Sequence, residues 1–230
     1  VALRDVNVSI APETRVAVVG ETGSGKTTFA KLLTRLMDPT GGDVMVGGVN
    51  IDQVRFGSLR DRVVMVPQEG MLFRGTIGDN VLMGHPEASR EDLLQCFHDL
   101  GLDDWLGELS AGLDTPVGER GSSLSVGERQ LVTLVRAAIS DPDLLVLDEA
   151  TSAVDPSTEV RISRALNQLT ESRTVVTIAH RMSTAEAADR VLVFDNAELV
   201  QDGTHEELVA QGGIYGRLYS SWERGTSNIG

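Results

Sequence analysis

Residues 20–27 constrain the fold of this chain more than any other stretch, because they form the sequence Gly-Glu-Thr-Gly-Ser-Gly-Lys-Thr. This sequence fits the pattern G-x-x-x-x-G-K-[ST] without a mismatch. Its glycines allow the backbone to curl so that successive N–H groups point inward at an anion, and a helix that follows presents its positive end to the same anion. A buried strand over 15–19 and an amphipathic helix over 27–37 provide the context that such a loop needs.

The residue types of this loop suit a nucleotide triphosphate. Lys26 supplies a positive charge for the β- and γ-phosphates, and the hydroxyl of Thr27 can reach Mg²⁺. The alternative is a glycine-rich turn that only permits tight packing, but the strand before it and the helix after it favour ATP binding. The predicted ATP-binding residues of this loop are Gly20, Glu21, Thr22, Gly23, Ser24, Gly25, Lys26, Thr27 and Thr28.

The rest of the chain alternates short apolar runs with helical patterns, which predicts an α/β fold with a mainly parallel central sheet flanked by helices. An alternating segment at 6–10 and a hairpin pattern at 44–51 predict an N-terminal antiparallel β subdomain. Residues of about 71–140 are mostly helical in pattern and are predicted to form an inserted helical subdomain. The predicted central strands are Arg15–Val19, Arg62–Val66, Leu144–Leu147, Val175–Ile178 and Val191–Phe194.

Charge and composition exclude some functions. Twenty basic against 34 acidic residues give a formal charge of −14, which argues against a nucleic-acid partner, since such proteins carry a basic face. No apolar run reaches the roughly 18 residues that span a bilayer. The single cysteine, Cys96, excludes an intrachain disulfide and fits a reducing compartment. The first residue is Val1 rather than Met, so we expect a segment of a longer protein, with a membrane part upstream.

Polar residues follow several of the predicted strands. Gln68 follows the strand at 62–66, Asp148 and Glu149 follow 144–147, and His180 follows 175–178. Ligands of open α/β sheets bind at the carboxyl ends of strands, so one MgATP site would use all of these groups. Taken alone, the acidic pair is equally well explained as a solvated strand end. The predicted magnesium ligands are Thr27, Gln68 and Asp148, and Glu149 is placed to polarise the attacking water.

These residues, together with Leu124-Ser125-Val126-Gly127-Glu128-Arg129-Gln130, resemble the nucleotide-binding domain of an ABC transporter. The heptapeptide is similar to the family signature, LSGGQ in its usual form, and 152–155 is similar to the D-loop. Because the resemblance covers nearly the whole chain, residues 1–230 are expected to form a single ABC-type ATPase domain. Residues 73–80 resemble the segment after the Q-loop in exporters, and 115–121 resemble the exporter X-loop, which faces the membrane domain.

The resemblance implies a mechanism and partners. Gln68, Glu149 and His180 would be the catalytic residues, with Glu149 as general base and His180 as the switch that senses the γ-phosphate. Ser125, Gly127 and Glu128 would bind ATP in trans, across a head-to-tail dimer with a second nucleotide-binding domain. The resemblance also implies an exporter's transmembrane domain as partner and a position at the cytoplasmic face of the membrane.

Two departures from the family pattern leave questions open. Val126 stands where glycine is usual, and Glu128 stands where glutamine is usual, so bulk or negative charge could weaken the trans site. Glu149 and His180 are intact, which is reminiscent of heterodimeric exporters with one impaired site. The aromatic residue that stacks on adenine in relatives would lie upstream of Val1.

Other functions compete with export. A soluble ABC-type ATPase of DNA repair or chromosome maintenance would carry a coiled-coil insertion or a basic surface, and neither pattern occurs. A regulatory module that binds nucleotide without turnover is disfavoured by Glu149. A small-molecule kinase would share the glycine-rich loop but has no need of the signature, D-loop and X-loop together.

Overall fold

A computed structural model describes residues 3–148 and 154–226 of the chain. These residues form two compact units. The sheet unit contains 3–63, 144–148 and 173–226, and the helical unit contains 64–143 and 154–172. The helical insertion predicted at about 71–140 lies within the helical unit, whose bounds are wider.

The described elements follow the alternation that the sequence predicts. The strands are β1 (Arg15–Gly20), β2 (Met45–Val46), β3 (Val49–Asn50), β4 (Val63–Val66), β5 (Leu144–Asp148), β6 (Thr174–Ile178), β7 (Arg190–Asp195) and β8 (Glu198–Gly203). The helices are α1 (Lys26–Leu33), α2 (Phe56–Arg62), α3 (Ile77–Leu82), α4 (Arg90–Asp99), α5 (Asp103–Glu108), α6 (Val126–Ile139), α7 (Pro156–Thr170), α8 (Met182–Glu186), α9 (His205–Gln211) and α10 (Gly213–Thr226).

Five strands of the sheet unit lie in the order β5-β6-β1-β7-β8. The first four are parallel, and β8 pairs antiparallel with β7. Strand β1 is apolar from Val16 to Val19, and these four residues are at most 1% exposed, as expected for a strand covered on both faces. In the register, Ile178 lies opposite both Val18 and Asp148, so β1, β5 and β6 end at the same edge of the sheet.

Helices cover both faces of this sheet. On one face, Val19 of β1 and Val193 of β7 pack in a buried cluster with Leu208 and Tyr215 from α9 and α10. Phe194 is the next residue along β7 and therefore points to the opposite face, where its ring lies 5.1 Å from that of Phe29 in α1. The predicted mainly parallel sheet with flanking helices is confirmed.

The antiparallel hairpin of β2 and β3 is also confirmed, with Gly47 and Gly48 at positive φ in its two-residue turn. The predicted strand at 6–10 is wrong, because these residues pair with no strand. Their side chains alternate between half-buried and exposed, which explains the pattern. The guanidinium of Arg190 donates a hydrogen bond to the carbonyl of Ser9 at 2.5 Å. In this segment a side chain, rather than a neighbouring strand, is thus the hydrogen-bond partner of that backbone carbonyl.

The helical unit is organised around α6. Leu131 and Leu134 are fully buried on this helix. Helix α7 packs closely beside it, since a Cβ on Gly127 would lie 2.5 Å from Cγ2 of Thr158. Serine caps begin two helices of this unit: Ser89 begins α4 and Ser125 begins α6, each in a reciprocal capping box with the acid three residues later.

Candidate nucleotide-binding site

The glycine-rich loop joins β1 to α1 as predicted. Gly20 has a φ of 150°, and a Cβ on it would lie 2.2 Å from the carbonyl oxygen of Phe194. Gly23 and Gly25 also have positive φ, at 83° and 109°. These conformations favour glycine because a side chain would clash with its own backbone. The loop therefore exposes a run of backbone N–H groups at the positive end of α1.

Lys26 folds back over this loop. Its Nζ donates to the carbonyl oxygens of Gly20 and Glu21 at 2.7 and 2.9 Å. The residue is only 8% exposed, and burial lowers the pKa of Lys26, against the opposing influence of Asp148. The ammonium group is thus held at the loop, where phosphate oxygens can take the place of the two carbonyl groups.

A buried hydroxyl in the loop has an unused hydrogen-bonding capacity. Ser24 is 4% exposed, and its Oγ has no hydrogen-bond partner. Such an orphaned group is costly to bury unless a ligand or water satisfies it. Together with the curled glycine backbone, it shows that the loop fits the polyphosphate of ATP.

Asp148 and His180 lie together at the same edge of the sheet. Oδ1 of Asp148 is 3.8 Å from Nε2 of His180. Burial raises the pKa of Asp148, while His180, Lys26 and Lys31 oppose the rise with positive charge. Lys31, one turn beyond Lys26 on α1, is predicted to lie outside the phosphate loop, and it has the smallest of these three influences on Asp148.

These groups fit a magnesium ion that takes most of its ligands from phosphate and water. The described residues contain no group of three acidic, histidine or cysteine side chains that could hold a metal alone. Asp148 supplies one carboxylate next to the loop, and Thr27 supplies an exposed hydroxyl at the start of α1. One carboxylate and one hydroxyl are the usual protein share of a magnesium–nucleotide site.

Not every predicted site residue belongs to the described part of the sheet unit. Glu149 lies outside the described residues, as do Ser152 and Ala153 of the D-loop. Gln68 is an exposed residue that follows β4 in the helical unit. Thr28 is half-buried on α1, and Thr22 is exposed in the loop.

The signature residues form the start of α6. The Ser125 Oγ accepts from the backbone N of Glu128 at 3.2 Å, and a carboxylate oxygen of Glu128 accepts from the backbone N of Ser125 at 2.8 Å. Val126 is 45% exposed. Glycine at 127 is required for the close approach of α7, a packing reason that is independent of any nucleotide.

The two exporter-like stretches contact each other. Thr76 and Pro116 form an antiparallel bridge. The backbone N of Ile77 donates to the carbonyl of Thr115 at 3.0 Å, and that of Val117 donates to the carbonyl of Gly75 at 3.0 Å. Residues 73–80 and 115–121 are therefore joined directly to each other within the helical unit.

The end of the D-loop is well defined. Asp155 begins α7, where its carboxylate accepts from Ser157 Oγ at 2.6 Å and from the backbone N of Thr158 at 3.0 Å. These hydrogen bonds, that of Ser157 first, hold the pKa of Asp155 far below its usual range. This carboxylate stays ionised as a helix cap, with Pro156 at the first helical position.

A glycine-rich loop between a buried strand and a helix, with a strand-end carboxylate beside its lysine, defines an ATPase of the phosphate-binding-loop class. Residues 3–152 match the family model described as ABC transporter. The chain belongs to the ABC transporter family and is an ATP-binding ATPase domain of it.

Relatives agree with this assignment. YknV of Bacillus subtilis, an uncharacterized ABC transporter ATP-binding protein, is 43% identical over 217 residues, which are 94% of this chain and 36% of YknV. A putative multidrug export ATP-binding/permease protein of Staphylococcus aureus is 41% identical over 218 residues, or 95% of this chain and 38% of that protein. The chain thus spans little more than a third of the length of these relatives.

A solved structure resembles the chain closely. It is that of a bacterial Atm1-family ABC exporter with ATP bound, with a TM-score of 0.87 and 38% sequence identity. The match covers 96% of this chain and 38% of the exporter chain. None of the helices in the described part of the chain combines the length and the hydropathy that a membrane span requires.

Proposed function

We propose that this chain hydrolyses ATP to drive export through a membrane transporter, with its site at the shared edge of β1, β5 and β6. The observation that carries the proposal is the position of Asp148. Its Oδ1 lies 3.8 Å from Nε2 of His180, and its negative charge raises the pKa of Lys26 against the effect of burial. A carboxylate, an imidazole and an ammonium group around one glycine-rich loop are suited to bind and cleave a triphosphate.

The loop and Lys26 would bind the β- and γ-phosphates through backbone N–H groups and the ammonium charge. Thr27, Asp148 and Gln68 would hold magnesium, which supplies charge neutralisation at the phosphates when bound. Glu149 would take the proton of the attacking water as general base. The His180 imidazole would donate to the γ-phosphate, and its contact with Asp148 would orient the ring.

We infer that hydrolysis requires a second nucleotide-binding domain, arranged head to tail. Ser125 is exposed at the start of a 14-residue helix, so its hydroxyl and the helix dipole can act on an anion bound to another copy. Gly127 and Glu128 would complete this second phosphate site. ATP would then join the two copies, and hydrolysis would release them.

The partner in the membrane would be an exporter's transmembrane domain, which places the chain at the cytoplasmic face. The contact between 73–80 and 115–121 supports this proposal, since both stretches resemble exporter segments and are joined to each other by hydrogen bonds. The relatives named for multidrug export and the ATP-bound Atm1-family exporter support the same direction of transport.

The general-base assignment is tested by Glu149→Gln. We expect this variant to bind ATP with unchanged affinity and to hydrolyse it about 10²–10⁴-fold more slowly, because an amide cannot accept the proton. The measurements are the ATP Kd by calorimetry and steady-state phosphate release. Glu87→Gln, an exposed loop residue, is the matched control and should hydrolyse ATP at the parental rate.

A second variant separates binding from chemistry. Lys26→Ala should lose tight ATP binding, because it removes the charge that contacts the phosphates. If Glu149→Gln retained near-parental turnover, the base would be another group. If the parent chain bound no ATP, the proposed function itself would be wrong.

A further inference from the structure

The two carboxylate oxygens of Glu128 have different partners. Oε2 accepts from the backbone N of Ser125 at 2.8 Å, and Oε1 accepts from Nε1 of Trp105 at 3.4 Å. Trp105 lies on α5 and is 2% exposed, so its indole N–H depends on an acceptor inside the protein. The negative charge of Glu128 is therefore turned toward two N–H donors of its own unit.

Glutamine at 128 could not satisfy both donors. A capping box accepts either Glu or Gln at its third position, because one oxygen is enough to accept from the cap residue. A Gln amide has one oxygen and one NH₂ group. If the amide oxygen faced the backbone N–H of Ser125, the NH₂ group would face the indole N–H of Trp105. If the amide were flipped, its NH₂ group would instead face the backbone N–H of Ser125. Each orientation places two donors against each other.

Another capping box in the chain lacks this second requirement. At the start of α9, the carboxylate of Glu207 accepts a hydrogen bond from the backbone N of Thr204 at 2.9 Å. In return, Oγ1 of Thr204 accepts one from the backbone N of Glu207 at 3.3 Å. The described hydrogen bonds give Glu207 no indole partner. The comparison assigns the specific need for a carboxylate at 128 to Trp105.

The capping box also fixes Ser125. Its Oγ accepts from the backbone N of Glu128, which uses one lone pair and holds the side chain in one rotamer. The hydroxyl hydrogen remains available to donate outward from an exposed position. A serine held in this way is organised in advance to bind an anion at the start of α6.

We propose that Glu128, held by Trp105, is a positioning residue that fixes Ser125 for the phosphate of an ATP molecule bound to a second copy. This inference rests on the proposed function, in which α6 acts in trans. Glutamic acid at 128 then supports the trans site rather than weakening it, and glutamine at this position would be the disruptive residue.

The test compares four variants of the 230-residue chain: Glu128→Gln, Trp105→Phe, the double variant, and Glu207→Gln as control. Sedimentation measures dimerisation with adenylyl imidodiphosphate, which is not hydrolysed, and calorimetry at low protein concentration measures nucleotide binding to the single copy. Thermal unfolding verifies that each variant is folded. Steady-state hydrolysis by the parent is measured in parallel.

We expect Glu128→Gln to weaken nucleotide-dependent dimerisation by about 5- to 20-fold, since a charge-assisted hydrogen bond is lost and two donors are brought together. Trp105→Phe should weaken it by only about 2- to 3-fold. In the double variant the opposing indole donor is gone, so dimerisation should return to about the Trp105→Phe level. Glu207→Gln and the single-copy nucleotide affinities should stay within about twofold of the parent.

Rescue by Trp105→Phe is the decisive result, because general loss of stability would make the double variant worse than either single one. If Glu128→Gln dimerises as well as the parent, or if the double variant shows no recovery, the inference is wrong. The inference is also wrong if neither the Glu128→Gln chain nor the double variant folds. A parent that neither hydrolyses ATP nor dimerises overturns the proposed function instead.

Discussion

Glycine at position 20 is required by backbone geometry before any nucleotide is considered. Its φ of 150° is unfavourable for a side chain, and the space that a Cβ would occupy is filled by the carbonyl of Phe194 in β7. Gly127 is likewise fixed by the approach of α7. These two glycines of the nucleotide-binding motifs therefore have a packing role that does not depend on a nucleotide.

The packing role of Gly20 can be measured by comparison with Gly23, which has no such role. Gly20→Ala should lower the free energy of unfolding by about 3 kcal/mol, since backbone strain adds to a steric clash with main-chain atoms. It should also weaken ATP binding, because the loop must move away from β7. Gly23→Ala is the matched control: its φ is 83°, but a Cβ there has no atom within 4 Å, so a loss of about 1 kcal/mol is expected. Urea unfolding and calorimetry provide both quantities, and equal losses for the two variants would contradict the interpretation.

At the same scale, local spacing in the sequence predicts some positions, whereas contacts between distant residues need the structure. The roles of Lys26 in the loop and of Ser125 as a helix cap follow from local spacing. The contact of Glu128 with Trp105 spans 23 positions and has no periodic signal. Sequence reasoning therefore treated Glu128 only as a departure from a family pattern, and the coordinates are needed to connect it to Trp105.

Among the elements, α3 and α6 share a buried polar contact that shapes the exporter-like segment. The Asn80 side chain is 1% exposed and donates to the carbonyls of Phe73 and Thr76, each at 2.9 Å. Arg136 of α6 donates to the Asn80 amide oxygen at 2.9 Å and to the carbonyl of Met71 at 3.0 Å. The side chains of Asn80 and Arg136 therefore hold the backbone of the segment that carries the exposed Met71 and Phe73.

Removal of the Asn80 amide should strongly destabilise the fold. Asn80→Ala deletes hydrogen bonds to three backbone groups and leaves the Arg136 guanidinium with fewer partners in a site where burial already lowers its pKa. We expect a loss of about 3 kcal/mol in the free energy of unfolding. Asn167→Ala, an exposed position on α7, should change it by less than about 0.5 kcal/mol. Guanidinium unfolding measures both, and a small loss for Asn80→Ala would mean that solvent replaces the amide.

The elements themselves were largely predictable, and the errors have physical causes. The start of helix α7 at Pro156 is visible in the sequence, because a cap residue, Asp155, and a first-turn proline mark it. Strand β8 and helix α10 were missed. The strand is half exposed and rich in polar residues, and α10 is stabilised by burial of Tyr215 against β1 and β7 rather than by its own sequence.

For the molecule as a whole, charge opposes the assembly that the proposed function requires. Each copy carries a formal charge of −14, so two copies repel each other before ATP joins them. ATP adds further negative charge to the same interface. The attraction must therefore come from short-range contacts of the phosphates with helix ends and Lys26, which are screened less than charges spread over the surface.

This balance predicts an unusual dependence on salt. At saturating ATP, the dimer of the Glu149→Gln chain should become about 3- to 10-fold stronger when NaCl rises from roughly 50 to 500 mM, because screening removes repulsion between the two acidic copies. Binding of ATP to a single copy should become weaker over the same range, since there the attraction between phosphate and Lys26 is screened. Sedimentation and calorimetry separate the two effects, and chains with ADP serve as the monomer control. A dimer that weakens with salt would show that complementary charge, rather than nucleotide alone, holds the copies together.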